Sequence, residues 1–370
     1  MPKTKVVVNL ADGSSYDVAI GTGILDGVGK RMRACARTQN ATKVLVLADA
    51  NVAPLYKARL VDSLTEASYS VRDIVIPAGE GAKTTDVLVE LWRAMAQMNY
   101  GRDCVVVALG GGATCDTAGF ASATFMRGVT CVYVPTTLLS MVDASVGGKT
   151  AVNLPEGKNL VGTFTQPALV CADIDTLKSL PDNEWRSGLA EVAKASVIDS
   201  DEFFFWMCDN ATALAARDER ASFEAIVKSV VFKANVVAAD VEERKGVREC
   251  LNYGHTYGHA LECLAGYATY THGEGVAEGM RFAGILASEL GLLQSDVLDA
   301  QNALLDALGL VELTWKAAPQ DIIASMKGDK KVRNGVLRFV LPRDIASWEV
   351  VSVSEDKVLA ALDIFLSTKE

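Results

Sequence analysis

Apolar residues in the first half of the chain come in short, nearly unbroken runs: Lys43–Ala48, Asp73–Pro77, Cys104–Leu109 and Val129–Val134. Such runs suit strands buried on both faces, whereas a strand with one wet face alternates apolar with polar residues. Segments with helical spacing, such as Thr85–Met98, lie between them. Strand alternating with helix predicts a parallel sheet covered by helices on both faces, and ligands of such sheets bind beyond the carboxyl ends of the strands.

After Leu180-Pro181 the rhythm changes. Helical periodicity runs through Glu184–Ile198, Phe223–Asp240, His255–Leu264, Val276–Leu290 and Val297–Leu308, with one β-like stretch at Leu337–Leu341. The pattern predicts an α/β chain in two parts. A Rossmann-like parallel-sheet domain covers residues 1–178 and a mainly α-helical metal-binding domain covers 179–370, the boundary falling near 175–181.

Half of the residues are apolar, 22% are charged, and no low-complexity block interrupts them, so the chain is globular. The formal net charge of −10 argues against a nucleic-acid or membrane-surface role. It leaves room for a small anion, because a local Lys/Arg cluster in a dry cleft is screened far less than the surface. No apolar run approaches the ~18 residues of a membrane span, and Met1-Pro-Lys-Thr-Lys has no secretory core behind it. Eight cysteines are scattered without a C-x-x-C pair, which fits buried free thiols in a reducing cytoplasm.

Chemistry gathers in three places. Strand Cys104–Leu109 runs into Gly110-Gly111-Gly112-Ala-Thr-Cys-Asp116, where missing side chains let backbone N–H groups approach a phosphate at a helix N-terminus. The same glycines also suit a plain tight turn, since the motif is neither G-x-G-x-x-G nor a P-loop. Other predicted strands end in Asp49 and Asn51, Glu80 and Lys83, and Thr136-Thr137, a rim of polar groups fit for one dinucleotide, with Asp49 or Glu80 to accept ribose hydroxyls.

The chain has only three histidines, His255, His259 and His272, all within 18 residues. His255 and His259 are spaced i, i+4 and share a helical face. Glu191 and Lys194, spaced i, i+3 in an otherwise small and apolar turn, offer a carboxylate or an internal ion pair. A catalytic zinc takes about three protein ligands and keeps one position open. Four candidates compete for those places, and spacing alone does not choose among them.

Cations recur beside these segments: Arg127, Lys149 after Gly147-Gly148, Lys158-Asn159, Lys233, Arg248 four residues before Asn252, and Lys330-Lys331. Any one alone reads as a surface charge. Together they point to a substrate with more than one anionic group. The spacing predicts that Arg248 and Asn252 share a face leading into the helix of His255.

These residues resemble the 3-dehydroquinate synthases over nearly the whole chain. The resemblance rests on Pro135-Thr-Thr-Leu-Leu-Ser-Met-Val-Asp143-Ala-Ser-Val-Gly-Gly-Lys149, Gly157-Lys158-Asn159-Leu-Val-Gly-Thr-Phe, Leu251-Asn252-Tyr-Gly-His255-Thr-Tyr-Gly-His259, Thr271-His272-Gly-Glu274 and Asp329-Lys330-Lys331. Ala144 stands where Ser is usual, and Ala195-Ser196 replaces a common Tyr-Gly. The resemblance implies zinc, with cobalt as a substitute, on Glu191, His255 and His272, and His259 as a catalytic residue near the leaving phosphate. It implies phosphate contacts from Arg127, Lys149, Asn159 and Lys330 or Lys331, with Arg127 reaching a neighbouring subunit of a homodimer. Asp143 and Lys194 then face sugar hydroxyls, Lys233, Arg248 and Asn252 the carboxylate side, and Glu243 is the acidic residue before Arg248. NAD falls to Asp49, Asn51, Glu80, Lys83, Gly111, Gly112, Asp116, Thr136, Thr137 and Lys158.

The implied reaction closes 3-deoxy-D-arabino-heptulosonate 7-phosphate to 3-dehydroquinate with loss of phosphate, in the shikimate pathway of aromatic amino acid biosynthesis. It runs by transient NAD oxidation, phosphate elimination, re-reduction, ring opening and aldol closure. Alternative readings are a sister cyclase acting on a ketose phosphate, a metal-dependent NAD polyol dehydrogenase, and a non-catalytic metal- or nucleotide-binding regulator.

Overall fold

The computed structural model describes residues 3–267, 269–328 and 336–369. They form two compact units, one running to Leu180 and including Lys233–Glu242, the other holding Pro181–Phe232 and the chain from Glu243.

The first unit is built on β1 (Lys3–Asn9), β2 (Ser15–Gly21), α1 (Val28–Ala34), β3 (Lys43–Asp49), α2 (Ala58–Glu66), β4 (Ser70–Ile76), α3 (Thr85–Gln97), β5 (Val105–Gly110), α4 (Gly112–Thr124), β6 (Thr130–Pro135), β7 (Lys149–Leu154), β8 (Gly157–Phe164) and β9 (Leu169–Asp173). Seven strands make one sheet in the order β1-β2-β9-β6-β5-β3-β4. β1 and β2 pair antiparallel, and every other neighbour is parallel.

Inner strands β5 and β6 are buried almost throughout, which is why their sequences are unbroken apolar runs, while edge strand β4 is largely exposed. One face of the sheet packs Val44, Val46, Val105, Val107, Val132 and Val134 against Val28 and Met32 of α1 and Leu60 and Leu64 of α2. On the other face lies α4, made mostly of small residues. A Cβ at its Gly119 would sit 2.3 Å from the Tyr133 hydroxyl and from Thr150 Cγ2, so only glycine lets this helix approach.

Because β3 to β6 run parallel, their carboxyl ends share one edge: Asp49 is in register with Ile76, and Gly110 with Pro135. β7 and β8 form a separate hairpin with an irregular register between Val152 and Leu154. Apolar periodicity gave no sign of this hairpin, since β8 is exposed along most of its length.

The second unit holds α5 (Asp182–Asp199), α6 (Asp201–Ala215), α7 (Glu219–Ala239, whose residues from Lys233 group with the first unit), α8 (His255–Leu264), α9 (His272–Glu289), α10 (Ser295–Ala307), α11 (Pro319–Gly328), the hairpin β10 (Leu337–Asp344) and β11 (Ser347–Val353), and α12 (Glu355–Ser367). The expected strand at Leu337–Leu341 is thus half of a hairpin.

Helix α9 starts four residues earlier than its apolar pattern, at His272. Thr271 accepts from the Glu274 N–H while Glu274 accepts from the Thr271 N–H, a capping box that satisfies two helix-end donors. Glycines bring α5, α8 and α9 backbone to backbone. A Cβ at Gly279 would lie 1.8 Å from the Gly254 carbonyl oxygen, and one at Gly273 would lie 2.2 Å from that of Ser187. No helix among the described residues is long and apolar enough to cross a membrane.

Candidate active site

In the helical unit, the buried helix α5 carries Glu191, α8 opens with His255, and α9 opens with His272. Nε2 of His255 lies 3.5 Å, and Nε2 of His272 3.4 Å, from the same Glu191 oxygen, Oε1. Both rings are held from behind. Nδ1 of His255 is 3.0 Å from the Tyr253 carbonyl oxygen, and Nδ1 of His272 is 3.0 Å from Glu262 Oε2. Those acceptors orient each ring so that its Nε2 faces Glu191, the arrangement metal-bound imidazoles share.

The Glu191 carboxylate is 1% exposed and pairs with Lys194, whose Nζ also donates to the Leu251 carbonyl at 3.0 Å. Apart from Lys194 and the two imidazoles, no group among the described residues pairs with the Glu191 oxygens. Burial opposes its charge, but Lys194 and His272 outweigh burial and hold the carboxyl below the usual range. Burial likewise opposes a charged His272, yet the carboxylates of Glu191 and Glu262 raise its pKa above the ordinary imidazole value. Two imidazole nitrogens converging on a buried, ionised carboxylate make a donor set of the kind a divalent zinc-like ion takes.

His259 stands on the same helical face as His255, with ring centroids 5.4 Å apart. It forms a second grouping with Glu262 and His272. Because Glu262 already holds His272 Nδ1, the Glu191 grouping is the better donor set.

Arg248 is 1% exposed and Asn252 half-buried, and both sit on a 3-10 turn, Val247–Asn252. This corrects the expected shared face with α8. Gly254, at φ +79, breaks the chain direction between them, and i, i+4 residues do not align at about three residues per turn. Glu249, a possible partner for Arg248, instead pairs with Arg338 at 3.1 Å. Glu243 is half-buried with φ +57. Lys330 and Lys331 lie outside the described residues.

In the sheet unit, Asp49 closes β3 and turns its carboxylate onto the N–H groups of Asn51 (2.8 Å) and Gly79 (3.2 Å). Gly111 and Gly112 follow β5, and α4 starts there with neither a side-chain cap nor an acidic residue in its first turn. A Cβ at Gly111 would come 3.1 Å from Thr137 Cγ2, and one at Gly112 3.1 Å from Ala144 Cβ. Such a bare helix N-terminus fits a pyrophosphate. Beside it, the buried hydroxyls of Thr114 and Thr136 have no hydrogen-bond partner among the described residues. The Thr137 hydroxyl is engaged by Ser140 at 2.9 Å.

Lys83, 4% exposed, donates to Asp116 at 2.6 Å and to Asn159 Oδ1 at 2.5 Å. Lys233 donates to Asp143 Oδ1 at 2.6 Å and to its carbonyl at 2.5 Å. Lys149 opens β7, exposed, after Gly147 and Gly148 at positive φ, and half-buried Lys158 precedes Asn159 on β8. Arg127 is exposed, with φ +66 between Met126 at +52 and Gly128 at +120. Expectations from the sequence missed Tyr253 and Glu262 as the groups orienting the histidines. A buried acid within Ala260-Leu-Glu-Cys-Leu264 was the available signal for the second.

The family models of the 3-dehydroquinate synthase N-terminal and C-terminal domains match residues 73–187 and 188–332. A curated 3-dehydroquinate synthase from Rhodopirellula baltica is 44% identical over 98% of this chain and 97% of its own. Among solved structures, a 2-epi-5-epi-valiolone synthase from Streptomyces hygroscopicus with NAD+ and Zn2+ bound is 28% identical, with a TM-score of 0.85 over 96% of this chain and 98% of its own. A 2-deoxy-scyllo-inosose synthase complexed with carbaglucose-6-phosphate, NAD+ and Co2+ is 25% identical, with a TM-score of 0.84 over 98% of this chain and 100% of its own.

Proposed function

The chain belongs to the 3-dehydroquinate synthase family, and from that premise we propose that it converts 3-deoxy-D-arabino-heptulosonate 7-phosphate to 3-dehydroquinate and phosphate. One observation carries this reading. The likeness to a curated 3-dehydroquinate synthase is nearly full length and far exceeds the likeness to the two solved sister cyclases. The enzyme uses NAD and a divalent metal.

Glu191, His255 and His272 would hold a cation that would supply Lewis acidity at a substrate hydroxyl, and bound NAD would supply a hydride acceptor. The chain's own residues do the rest by positioning. Tyr253 and Glu262 fix the ring orientation of His255 and His272. Lys194 keeps Glu191 ionised. Gly111, Gly112, Thr136, Thr137, Asp116, Asp49, Asn51, Glu80, Lys83 and Lys158 serve NAD. Lys149, Asn159 and Arg127 meet the phosphate, with Arg127 acting in the neighbouring subunit of a homodimer.

His259 moves a proton near the departing phosphate. Asp143 and Lys194 meet hydroxyls, and Lys233, Arg248 and Asn252 meet the carboxylate, with Glu243 acting beside Arg248. Residues 1–178 are thus the NAD-binding domain and 179–370 the metal- and substrate-binding one, and the enzyme works in the cytoplasm. NMR analysis of the products after incubation with substrate, NAD and zinc tests the proposal. One carbocycle and one phosphate should appear per substrate, with no net NADH absorbance. Stoichiometric NADH, or a preference for a ketose phosphate, overturns it.

A further inference from the structure

Asn153 carries none of the roles assigned above, yet it holds together residues that do. It sits where the β7–β8 ladder slips out of register, between the Val152↔Val161 and Leu154↔Gly157 pairs. Three hydrogen bonds replace the missing rungs. Its main-chain N–H donates to the Lys83 carbonyl at 2.8 Å. Its Oδ1 accepts from the Asn159 N–H at 2.9 Å, and its Nδ2 donates to Glu80 Oε2 at 2.5 Å. The orientation of the amide follows from its partners. A backbone N–H only donates and a carboxylate only accepts, so no flipped amide satisfies both.

Asn159 stands in the left-handed region at φ +57, a conformation asparagine tolerates and neighbours must hold. Held there, its Oδ1 takes the Lys83 ammonium, which is also bound to Asp116 at the glycine turn. One short network, Glu80–Asn153–Asn159–Lys83–Asp116, therefore runs from the strand-end rim to the hairpin that bears Lys149, Lys158 and Asn159.

We infer that Asn153 is a positioning residue, and that through it the binding of NAD and the binding of the substrate's phosphate are coupled. The inference rests on the proposed assignment of Glu80 and Lys83 to NAD and of Lys149 and Asn159 to phosphate. NAD fixes Glu80 and Lys83; these fix Asn153 and Asn159, and the hairpin turn then meets phosphate already ordered. Linkage is reciprocal, so phosphate tightens NAD by the same factor.

Calorimetric titration of the zinc-loaded enzyme with NAD, and with inorganic phosphate in the presence and absence of saturating NAD, tests this. In the wild type, NAD should tighten phosphate about fivefold or more, the lower end of the range for linked sites. Asn153→Ala should bring that factor below about two while the protein melts as a folded enzyme. Asn153→Asp keeps the acceptor for the Asn159 N–H but sets a carboxylate against Glu80. It should weaken NAD about tenfold and leave phosphate affinity without NAD unchanged. Wild-type coupling in folded Asn153→Ala, an Asn153→Asp variant that binds NAD normally, or no coupling in the wild type overturns the inference. Failure of the family reading shows separately, as absence of the carbocyclic product from the wild-type enzyme.

Discussion

In the helical unit, the groups proposed to hold a metal stand on three helices, α5, α8 and α9, whose backbones touch through glycine, and each is held by a second buried group. In the sheet unit, the groups proposed to hold NAD stand mostly at strand ends and in the turns after them, and the buried hydroxyl of Thr136, like that of its neighbour Thr114, has no hydrogen-bond partner among the described residues. The difference follows the ligand. A metal tolerates little error in donor placement, so its cage is built rigid. A dinucleotide spreads over many weak contacts, and the loops beyond a parallel sheet supply them while leaving hydroxyls and N–H groups for the ligand to complete.

The largest expected effect breaks the rigid side. His255→Ala removes one of two converging imidazoles and should abolish bound metal. Activity should fall at least about a thousandfold, because Lewis-acid stabilisation contributes several kcal/mol and ~4 kcal/mol is a factor of roughly a thousand. Elemental analysis and rate measurement check this; a variant that keeps stoichiometric metal refutes the assignment.

Acid should act in the same direction on the wild type. The neighbouring carboxylates raise the His272 pKa, so in chelated enzyme the proton is held at neutral pH and metal must displace it. Metal affinity should therefore rise with pH through the neutral range, with proton release on binding. Pairs of calorimetric titrations in buffers of different ionisation enthalpy would read that release, and its absence contradicts the geometry.

These two regions were also unequally legible. Strands β3 to β6 show in the sequence because burial on both faces leaves unbroken apolar runs. Helix α4 is announced only by the glycine turn before it, because its small residues give it no apolar stripe, and the β7–β8 hairpin leaves no apolar pattern, because β8 is exposed. The proposed metal site was signalled by three histidines in 18 residues, but preferring Glu191, His255 and His272 to His259 needed family resemblance. The reason for that choice, Nδ1 held by Tyr253 and Glu262, exists only once α8 and α9 pack. The start of α9 was readable after all, since Thr271-His-Gly-Glu274 spells a capping box. At the rim, the sequence offers Asp49 or Glu80 as a ribose acceptor, and nothing in the spacing reveals their protein partners Asn51, Gly79 and Asn153.

His259 sharpens the comparison inside the helical unit, since it shares a face with His255 but not its role. His259→Ala should keep the metal and lose about a hundredfold or more in kcat, the range for a lost proton-transfer group. Loss of metal as complete as in His255→Ala would move His259 into the cage and undo the Glu191 grouping.

Arg248 carries a smaller effect. A guanidinium meets a carboxylate through two parallel bonds, each charged hydrogen bond contributing about 1.5–3 kcal/mol. Arg248→Ala should lower kcat/KM for the sugar-acid phosphate at least about tenfold, and Arg248→Lys less, with metal and NAD binding kept. Equal activity of Arg248→Ala and wild type would return the residue to a structural role and favour a sister-cyclase substrate.

The smallest effect tests whether the sheet unit really leaves polar atoms for its ligand. Thr136 closes β6 with its hydroxyl buried and unpartnered among the described residues, and the side chain is 3% exposed. Thr136→Val has nearly the same shape and replaces that hydroxyl with a methyl group. A buried polar group lacking a partner costs about 1–3 kcal/mol, so the ligand-free variant should melt at a higher temperature than wild type. NAD should then bind it about two- to tenfold more weakly, the equivalent of one ordinary hydrogen bond of ~0.5–1.5 kcal/mol. Melting curves with and without NAD read both quantities in one experiment. A hydroxyl that served the fold would give the opposite pair of signs, a lower melting temperature and unchanged NAD affinity.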